Sequence, residues 1–591
     1  MLISRRTALA LGGTAAASTV ATLGGSATHA FSLPLSRRGV HAPARAEIRG
    51  LFDAERENFS LRELTPEQLP YAGTFARPLP AGANYDSEHV SIRVYDGVLH
   101  NHPVGQAQAA LSILASYAFN EDPAYLAASR ANADRLIGSA TDVSGALFFP
   151  YTFDFTLHSG PDKMIAPWYS GMAQGQALSA FCRLYAATGD ERYRVAADGA
   201  FASFKVLKNP SSPWVTRIDA HGYAWFEEYA DQEGRADFTF NGHVFGVYGM
   251  YDYYRLTGNP EAKSLFQIGA TTMKHYADTI RDPGWISHYC LRHETPSISY
   301  HNVHVELLYK VFDMTGDLYF ASLADAFLAD FPAPTSYGRG PISSGDHRFA
   351  STNASASSKA VVTTATTATI ADVAFGSRRK LVGTDGIWLR IDSGQHAGKW
   401  IEEQAGKTHI GGLALERYRF APLRRIDFAA GTHTGFEYSK GGKIVRSVRA
   451  GLKTPSSAHA SMRALVNGRT HYLITNGIWK DLWVPASDTV SAAVRPLTGE
   501  RVQDWDPPAE AGTPISLNPA RLVKFAQGNH SGVTFDGDWQ IVGQKTAGLS
   551  RPSSAYADQS VALDAGMYYR ITGGIWKGMW VLASGSVQLM P

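Results

Sequence analysis

The chain has 591 residues, 44% of them apolar and 18% charged, which is too long for a single hydrophobic core and too apolar for a disordered polymer. A formal net charge of +2 provides no field for gripping nucleic acid or an anionic membrane, so neither is expected as a partner. Two cysteines, Cys182 and Cys290, exclude a disulfide framework and leave open either one bridge or two buried thiols.

The N-terminus reads as a targeting signal. Arg5 and Arg6 stand in Ser4-Arg5-Arg6-Thr7-Ala8-Leu9, a small, mildly apolar run follows to about Leu23, and small residues surround Ala30. This resembles a bacterial twin-arginine export signal, so residues 1–30 are set aside and a secreted or cell-surface location is expected. The run is rich in Gly, Ala, Ser and Thr, unlike a membrane anchor, and no later stretch is apolar for long enough to span a bilayer. Residues 31–98 read as a short extended or β segment.

From 99 to 335 one pattern recurs: an amphipathic helix, a tight turn, a second helix. The turns are Phe119-Asn120-Glu121-Asp122-Pro123, Thr188-Gly189-Asp190, Thr257-Gly258-Asn259-Pro260 and Thr315-Gly316-Asp317. Each offers a Gly or Asn to end one helix and an Asp or Asn to cap the next. Units of roughly sixty residues predict an all-α array of helical hairpins, either a solenoid or an α/α toroid, with the loops of one end around a cleft. Residues 336–370 turn to Ser, Gly, Ala and Thr, notably from Ser351 to Ser358, and read as a linker.

Beyond the linker a duplication is visible by eye. His433-Thr434-Gly435 recurs as His530-Ser531-Gly532, Pro455-Ser456-Ser457-Ala458 as Pro552-Ser553-Ser554-Ala555, and Gly477-Ile478-Trp479-Lys480 as Gly574-Ile575-Trp576-Lys577, all at one constant offset. Gly386-Ile387-Trp388 with Trp400-Ile401 reads as a degenerate earlier copy. The expected units are therefore a degenerate β repeat at 371–408 and two full repeats at 409–500 and 501–591, each a small β-barrel that looks like the SH3-like repeats of bacterial cell-wall enzymes. Such repeats would bind cell-wall glycan, although each tryptophan taken singly is as well explained by core packing.

Three helical-region segments carry more polar aromatic character than packing needs: Trp168 to Gln176, Trp225-Phe226-Glu227-Glu228-Tyr229 with Phe240-Asn241-Gly242-His243 after it, and His288 to His304. There the chain resembles the C-terminal catalytic domain of the D-glucuronyl C5-epimerases. The resemblance rests on Trp168-Tyr169-Ser170-Gly171-Met172-Ala173-Gln174-Gly175-Gln176, on Trp225 to Tyr229 followed by Asn241-Gly242, on Tyr289 to His293, and on Ser299-Tyr300-His301. It implies Glu228, Tyr229, Tyr289 and Tyr300 as active-site residues and a uronic-acid-containing polysaccharide as substrate. The departures are Ser299, Phe226 and Cys290, where the family carries Asp, Tyr and Asp, together with a much shortened region ahead of the helices.

The chemistry makes sense of these residue types. Removing a proton α to a carboxylate builds an enolate-like dianion, so the carboxylate must be neutralised by a cation or strong hydrogen bonds. Arg292 is the candidate, because its planar fork suits a carboxylate. Two acid/base groups on opposite faces are also required, Glu228 if burial raises its pKa and Tyr300 if a neighbouring cation lowers its own. Tyr229 and Tyr289 would orient the sugar or assist proton transfer. Asn241, His243, His293 and His301 are second-choice substrate-binding residues, with Trp168, Tyr169 and Gln174 forming a small substrate-facing edge. His301 and His304 lack a carboxylate at metal-ligand spacing, and no dinucleotide or phosphate-loop fingerprint is present, so neither metal nor other cofactor is expected. A polysaccharide lyase or glycoside hydrolase, and a non-catalytic wall-binding protein, are the competing readings; a homodimer is compatible with the sequence.

Overall fold

The structure is a computed structural model that describes residues 50–590 except 160–161, 209–211, 220, 231–235, 332–337, 352–359, 382–383, 385, 440, 498, 500, 503–513, 537–540, 564–565 and 585. The export-type signal at 1–30 and most of the Ser351–Ser358 run lie outside the described residues. Cys182 and Cys290 are both buried free thiols.

Among the described residues eight helices form four hairpins: α1 (Pro103–Asn120) with α2 (Pro123–Ser139), α3 (Gly171–Thr188) with α4 (Glu191–Ser203), α5 (Phe240–Thr257) with α6 (Pro260–Ile280), and α7 (Ile298–Thr315) with α8 (Leu318–Asp330). The turns work as their residues dictate. Glu121, Gly189, Gly258 and Gly316 take the left-handed conformation that ends the first helix, and the side chains of Asp122, Asp190, Asn259 and Asp317 each accept an N–H that caps the second. The first helices α1, α3, α5 and α7 pack on one another in series, while each second helix packs mainly on its own partner. No helix among the described residues is long and apolar enough to cross a membrane.

Helices α3 and α5 approach until their backbones touch. A Cβ on Gly175 would lie 2.6 Å from the Gly246 Cα, and one on Gly249 would lie 2.7 Å from the Gly175 carbonyl oxygen. This contact brings the start of α5, with Asn241 and Gly242, beside the start of α3. The N-terminal segment from residue 50 straps the array from outside: Glu57 pairs with Lys274 of α6, Arg62 N–H donates to the Met314 carbonyl of α7, and Arg183 of α3 donates to the Pro70 carbonyl.

The β region contains three copies of one sheet. At Leu413–Ala492 and again at Ile515–Leu589, seven strands lie in the spatial order third, second, sixth, fifth, fourth, first, seventh. The first copy, Gly338–Glu402, has the same order through six strands, with Thr408 bridging Ile342 where a seventh strand would pair. It therefore begins some thirty residues earlier than expected. The segment read as a linker supplies Gly338–Ile342, Gly345–Ser351 and Val361–Thr367 as strands. Its Thr and Val residues favour extended backbone, and the third of these strands lies at the sheet edge with most side chains exposed, so few large apolar residues mark it.

The copies also correct the alignment of the degenerate repeat. In the two later copies Phe428 stacks on Trp479 and Phe525 on Trp576, each at 4.9 Å, while a Cβ on Gly435 or Gly532 would strike that indole at 2.7 or 2.5 Å. His433 and His530 fix the turn by bonding the carbonyls of Ala429 and Ala526, and His347 does the same to Ser343 in the first copy. There, Ile342 replaces the Phe, Phe349 replaces the Gly, and His396 replaces the Trp, with Phe349 and His396 in contact at 4.8 Å. The counterpart of Gly477-Ile478-Trp479 is thus Gly394-Gln395-His396, whereas Trp388 starts the fifth strand. Filling the glycine site requires a smaller ring opposite it, which removes the tryptophan signature.

The middle copy is fused to the helices. Tyr418 stacks on Tyr309 of α7 at 3.9 Å, and Arg424, fully buried, donates to Asp325 of α8 at 2.8 Å and to the Ala493 carbonyl. One apolar cluster runs from Phe312 and Phe327 to Phe420, Ile426 and Trp479. Asp325→Ala strands a buried guanidinium and is expected to cost about 3–5 kcal/mol. Gly175→Ala is expected to cost roughly 1–3 kcal/mol through overpacking, whereas Gly138→Ala in α2, where a Cβ meets nothing within 4 Å, should be neutral or mildly stabilising. Thermal unfolding of the three variants checks this order.

Candidate active site

The strand Ala224–Phe226 is buried on both faces and ends in Glu227-Glu228-Tyr229. Glu227 turns into the protein, where its Oε2 accepts the Phe238 amide at 3.2 Å. Glu228 turns the other way, against the first turn of α5. There Asn241 Nδ2 donates to its Oε2 at 3.1 Å, and a Cβ on Gly242 would lie 2.5 Å from the Glu228 Cβ. Only glycine lets the helix start close over this carboxylate.

On its other oxygen, Glu228 accepts the Tyr289 hydroxyl at 2.9 Å. That hydroxyl lies 3.0 Å from the Tyr229 hydroxyl. Since the Tyr289 proton is directed to Glu228, Tyr229 is the donor of the second bond, and the three form a chain ending on the carboxylate. Tyr300, in the first turn of α7, sets its ring edge-on to Tyr289 at 4.4 Å and, like Tyr229, is half-buried. Burial pushes the Glu228 carboxyl up to about 7 against the lowering effect of the hydrogen bonds from Tyr289 and Tyr229. Burial and the Glu228 charge push the Tyr300 hydroxyl up to about 12. The expected cation that would lower Tyr300 is not what governs it. Glu228 is thus suited to take a proton and Tyr300 to give one.

Behind Tyr289 lies a second cluster. His158, in the left-handed conformation at φ 50°, places its ring 5.2 Å from that of Tyr289 and its Nε2 3.2 Å from Asp237 Oδ2. His293 Nδ1 is 2.6 Å from Asp237 Oδ1, and its Nε2 is 2.9 Å from Asp162 Oδ2. Cys290 Sγ is 3.6 Å from both His158 Nε2 and His293 Nδ1. Burial opposes charge on Asp237, yet the hydrogen bonds from His158 and Thr239 hold its carboxyl below the usual range.

With this geometry in view, the relatives can be placed. Residues 144–329 match the family described as D-glucuronyl C5-epimerase C-terminus. The match takes in most of the helical domain. A D-glucuronyl C5-epimerase of Caenorhabditis elegans is 29% identical over 187 residues, 28% of this chain and 29% of that protein. An uncharacterised protein of Methanocaldococcus jannaschii is 27% identical over 173 residues, 28% of this chain and 52% of the other. The matched part therefore spans between under a third and about half of these relatives. Among solved structures, a cellobiose 2-epimerase of Spirochaeta thermophila aligns at TM-score 0.31 and 15% identity over 42% of this chain and 63% of its own. An unsaturated glucuronyl hydrolase of Bacillus sp. GL1 aligns at 0.28 and 15% over 38% and 60%. Likenesses at these TM-scores carry no weight for fold closure or activity.

Within the matched region, Glu228, Tyr229, Tyr289, Tyr300 and Asn241 come together. Arg292 stands at the rim, its side chain 35% exposed, with Nε 3.3 Å from Asp162 and Nη1 donating to the Ala236 carbonyl. Other expected substrate contacts are placed differently. Buried His243 accepts the Phe226 amide and bonds the Gly269 carbonyl, and buried His301 bonds Ser287 and the Phe327 carbonyl, so both rings have both nitrogens engaged by protein. Gln174 spends its amide on Leu147, Phe149 and Ser203. Trp168 stacks on Tyr151 at 3.8 Å and donates to the Phe153 carbonyl, and Tyr169 packs its ring on Phe148. These five hold the walls in place. His293 joins the second cluster behind Tyr289.

Sequence reasoning missed His158, Asp162 and Asp237. They sit in loops with no periodicity, and only the spatial return of three separate segments unites them; the signal available was Cys290, noted simply as a departure. A base takes a proton only when ionised, so with Glu228 in that role kcat/KM is expected to fall about tenfold per pH unit as pH drops below about 7, and a pH–rate profile of the full chain checks this limb.

Proposed function

We propose that this protein epimerises uronic acid residues at C5 within a polysaccharide, converting D-glucuronate to L-iduronate in a heparosan-like chain. The observation that carries the reading is the buried Glu228 carboxylate, hydrogen-bonded by Tyr289 and flanked by Tyr229 and Tyr300 in an epimerase-family domain. Glu228 takes the C5 proton, the charge passes onto the substrate carboxylate, and a tyrosine, Tyr300 in this reading, returns a proton to the opposite face. Arg292 at the rim neutralises the carboxylate, and the Tyr229–Tyr289 chain holds Glu228 in position.

A hydrolase needs two carboxyls facing one bond. Glu227, which bonds the Phe238 amide, faces away from Glu228, which disfavours that alternative. The hairpin array is read as an arc of an α/α toroid with the site among its loops. The three β copies are read as SH3-like modules holding cell-surface glycan, and the first thirty residues as the export signal of a secreted enzyme.

Proton NMR of heparosan incubated with the mature protein in deuterium oxide tests the reaction. Loss of the C5 proton signal without chain cleavage is expected, slowed by about 10²-fold or more in Glu228→Gln and in Tyr300→Phe. A new unsaturated uronate signal would replace this reading with a lyase. Absence of exchange across a panel of uronans would overturn it.

A further inference from the structure

The cluster behind Tyr289 has a donor set and geometry that the hydrogen-bonding reading does not exhaust. His158 Nε2, Asp237 carboxylate, Cys290 Sγ and His293 Nδ1 all lie within 4.8 Å of one another. Three of their separations, 3.2, 3.6 and 3.6 Å, are those of a tetrahedron's edges, while the fourth, 2.6 Å between His293 Nδ1 and Asp237 Oδ1, is a hydrogen bond that an ion would open. Zinc–ligand distances of about 2.0 Å to nitrogen or oxygen and 2.3 Å to sulfur give edges of about 3.3 Å between nitrogen and oxygen and about 3.6 Å between nitrogen and sulfur.

As a hydrogen-bonded group the cluster draws His158 Nε2, His293 Nδ1 and Thr239 Oγ1 onto the one Asp237 carboxylate and leaves the Cys290 sulfur between two imidazoles. The single Cys290 proton can serve only one of the two imidazole nitrogens equidistant from its sulfur. A cation at the centre uses all four donors at once. The surroundings are those of a metal site as well. Asp162 Oδ2 lies 2.9 Å from the far nitrogen of His293 and would orient that ring by accepting its Nε2 proton once Nδ1 bonds an ion, and Thr239 Oγ1 donates to Asp237 Oδ2 at 2.8 Å. Asp237 and Cys290 are buried, while the His158 and His293 side chains are 16% and 21% exposed, so an ion can enter from the imidazole side.

We infer that His158, Asp237, Cys290 and His293 form a closed, tetrahedral zinc site. Two imidazoles, one thiolate and one carboxylate suit zinc above harder cations, and four protein ligands leave no open position, so the site is structural. On binding, the Cys290 thiol releases its proton to solvent and its sulfur bonds the ion; the protons that His158 Nε2 and His293 Nδ1 direct at Asp237 leave for solvent or the outer ring nitrogen, and His293 keeps its Nε2 proton on Asp162. The two ligand charges balance the cation. The ion ties together the loop at 157–159, the residues before α5 and the strand-like segment carrying Tyr289, and so holds Tyr289 against Glu228. The inference stands apart from the proposed epimerisation, since metal content is measured without substrate.

The test uses the full chain, loaded with zinc or cobalt(II) and then freed of excess metal. About one zinc per chain is expected to remain, a chelator should lower the unfolding midpoint by about 5 °C or more, and the cobalt form should show a thiolate-to-metal charge-transfer band. Cys290→Ser should abolish the band, and His158→Gln, on the exposed side where folding is spared, should cut zinc retention at least tenfold. No retained metal, no band and no response to chelator would overturn the inference in favour of an imidazolium bridging two aspartates. Zinc retained equally by both variants would overturn it too, since the ion would then sit elsewhere.

Discussion

A carboxylate held out of water at the start of a helix is the constraint around which the helical domain is arranged. Glu228 can be buried only because Gly242 leaves it room, because Asn241 and Tyr289 supply one donor to each oxygen, and because the backbone contact of α3 with α5 brings that helix start to the end of the Ala224–Phe226 strand. Burial without those donors would leave a charge too costly to keep. Burial with them leaves a base poised near neutrality. The glycines of α3 and α5 therefore reach into the chemistry as much as the acid does, because their packing sets where the acid stands.

The same logic of mutual fit governs the β copies. A tryptophan, a phenylalanine and a glycine form one packing unit in the second and third copies, and in the first copy all three positions have changed together. The change at the glycine depends on the change at the tryptophan: a phenylalanine placed at Gly435 would meet the indole of Trp479 directly.

The hairpin array was legible because helix ends are local events: Gly189, Gly258 and Gly316 and the capping Asp190, Asn259 and Asp317 announce themselves within a few residues. The later duplication was legible because identical neighbours recur at one spacing. The first β copy was not, since its strands lie in a Ser- and Thr-rich stretch and its tryptophan has become His396. Motifs singled out Glu228, Tyr229, Tyr289 and Tyr300, which the fold gathers together, and also Gln174, His243 and His301, whose polar atoms the fold engages with its own backbone and side chains. A polar residue in a motif looks the same in sequence whether it faces a ligand or satisfies a neighbouring carbonyl, and only the buried partners of those three distinguish the cases. His158, Asp162 and Asp237 were invisible because proximity between distant loops has no local signature.

The shared core between α7, α8 and the middle β copy has a bearing on how such a chain is inherited. Repeats arise as interchangeable modules, and the third copy, with its own apolar cluster around Val523, Phe525 and Trp576, retains that independence. The middle copy does not. With Tyr418 against Tyr309 and Arg424 buried on Asp325, its removal would bare an apolar wall on the helices, so it can no longer be lost, swapped or reordered without remaking the domain beside it. The middle copy is thus part of the domain it adjoins, whereas the first and third copies, each with an apolar cluster of its own, remain the parts that can vary.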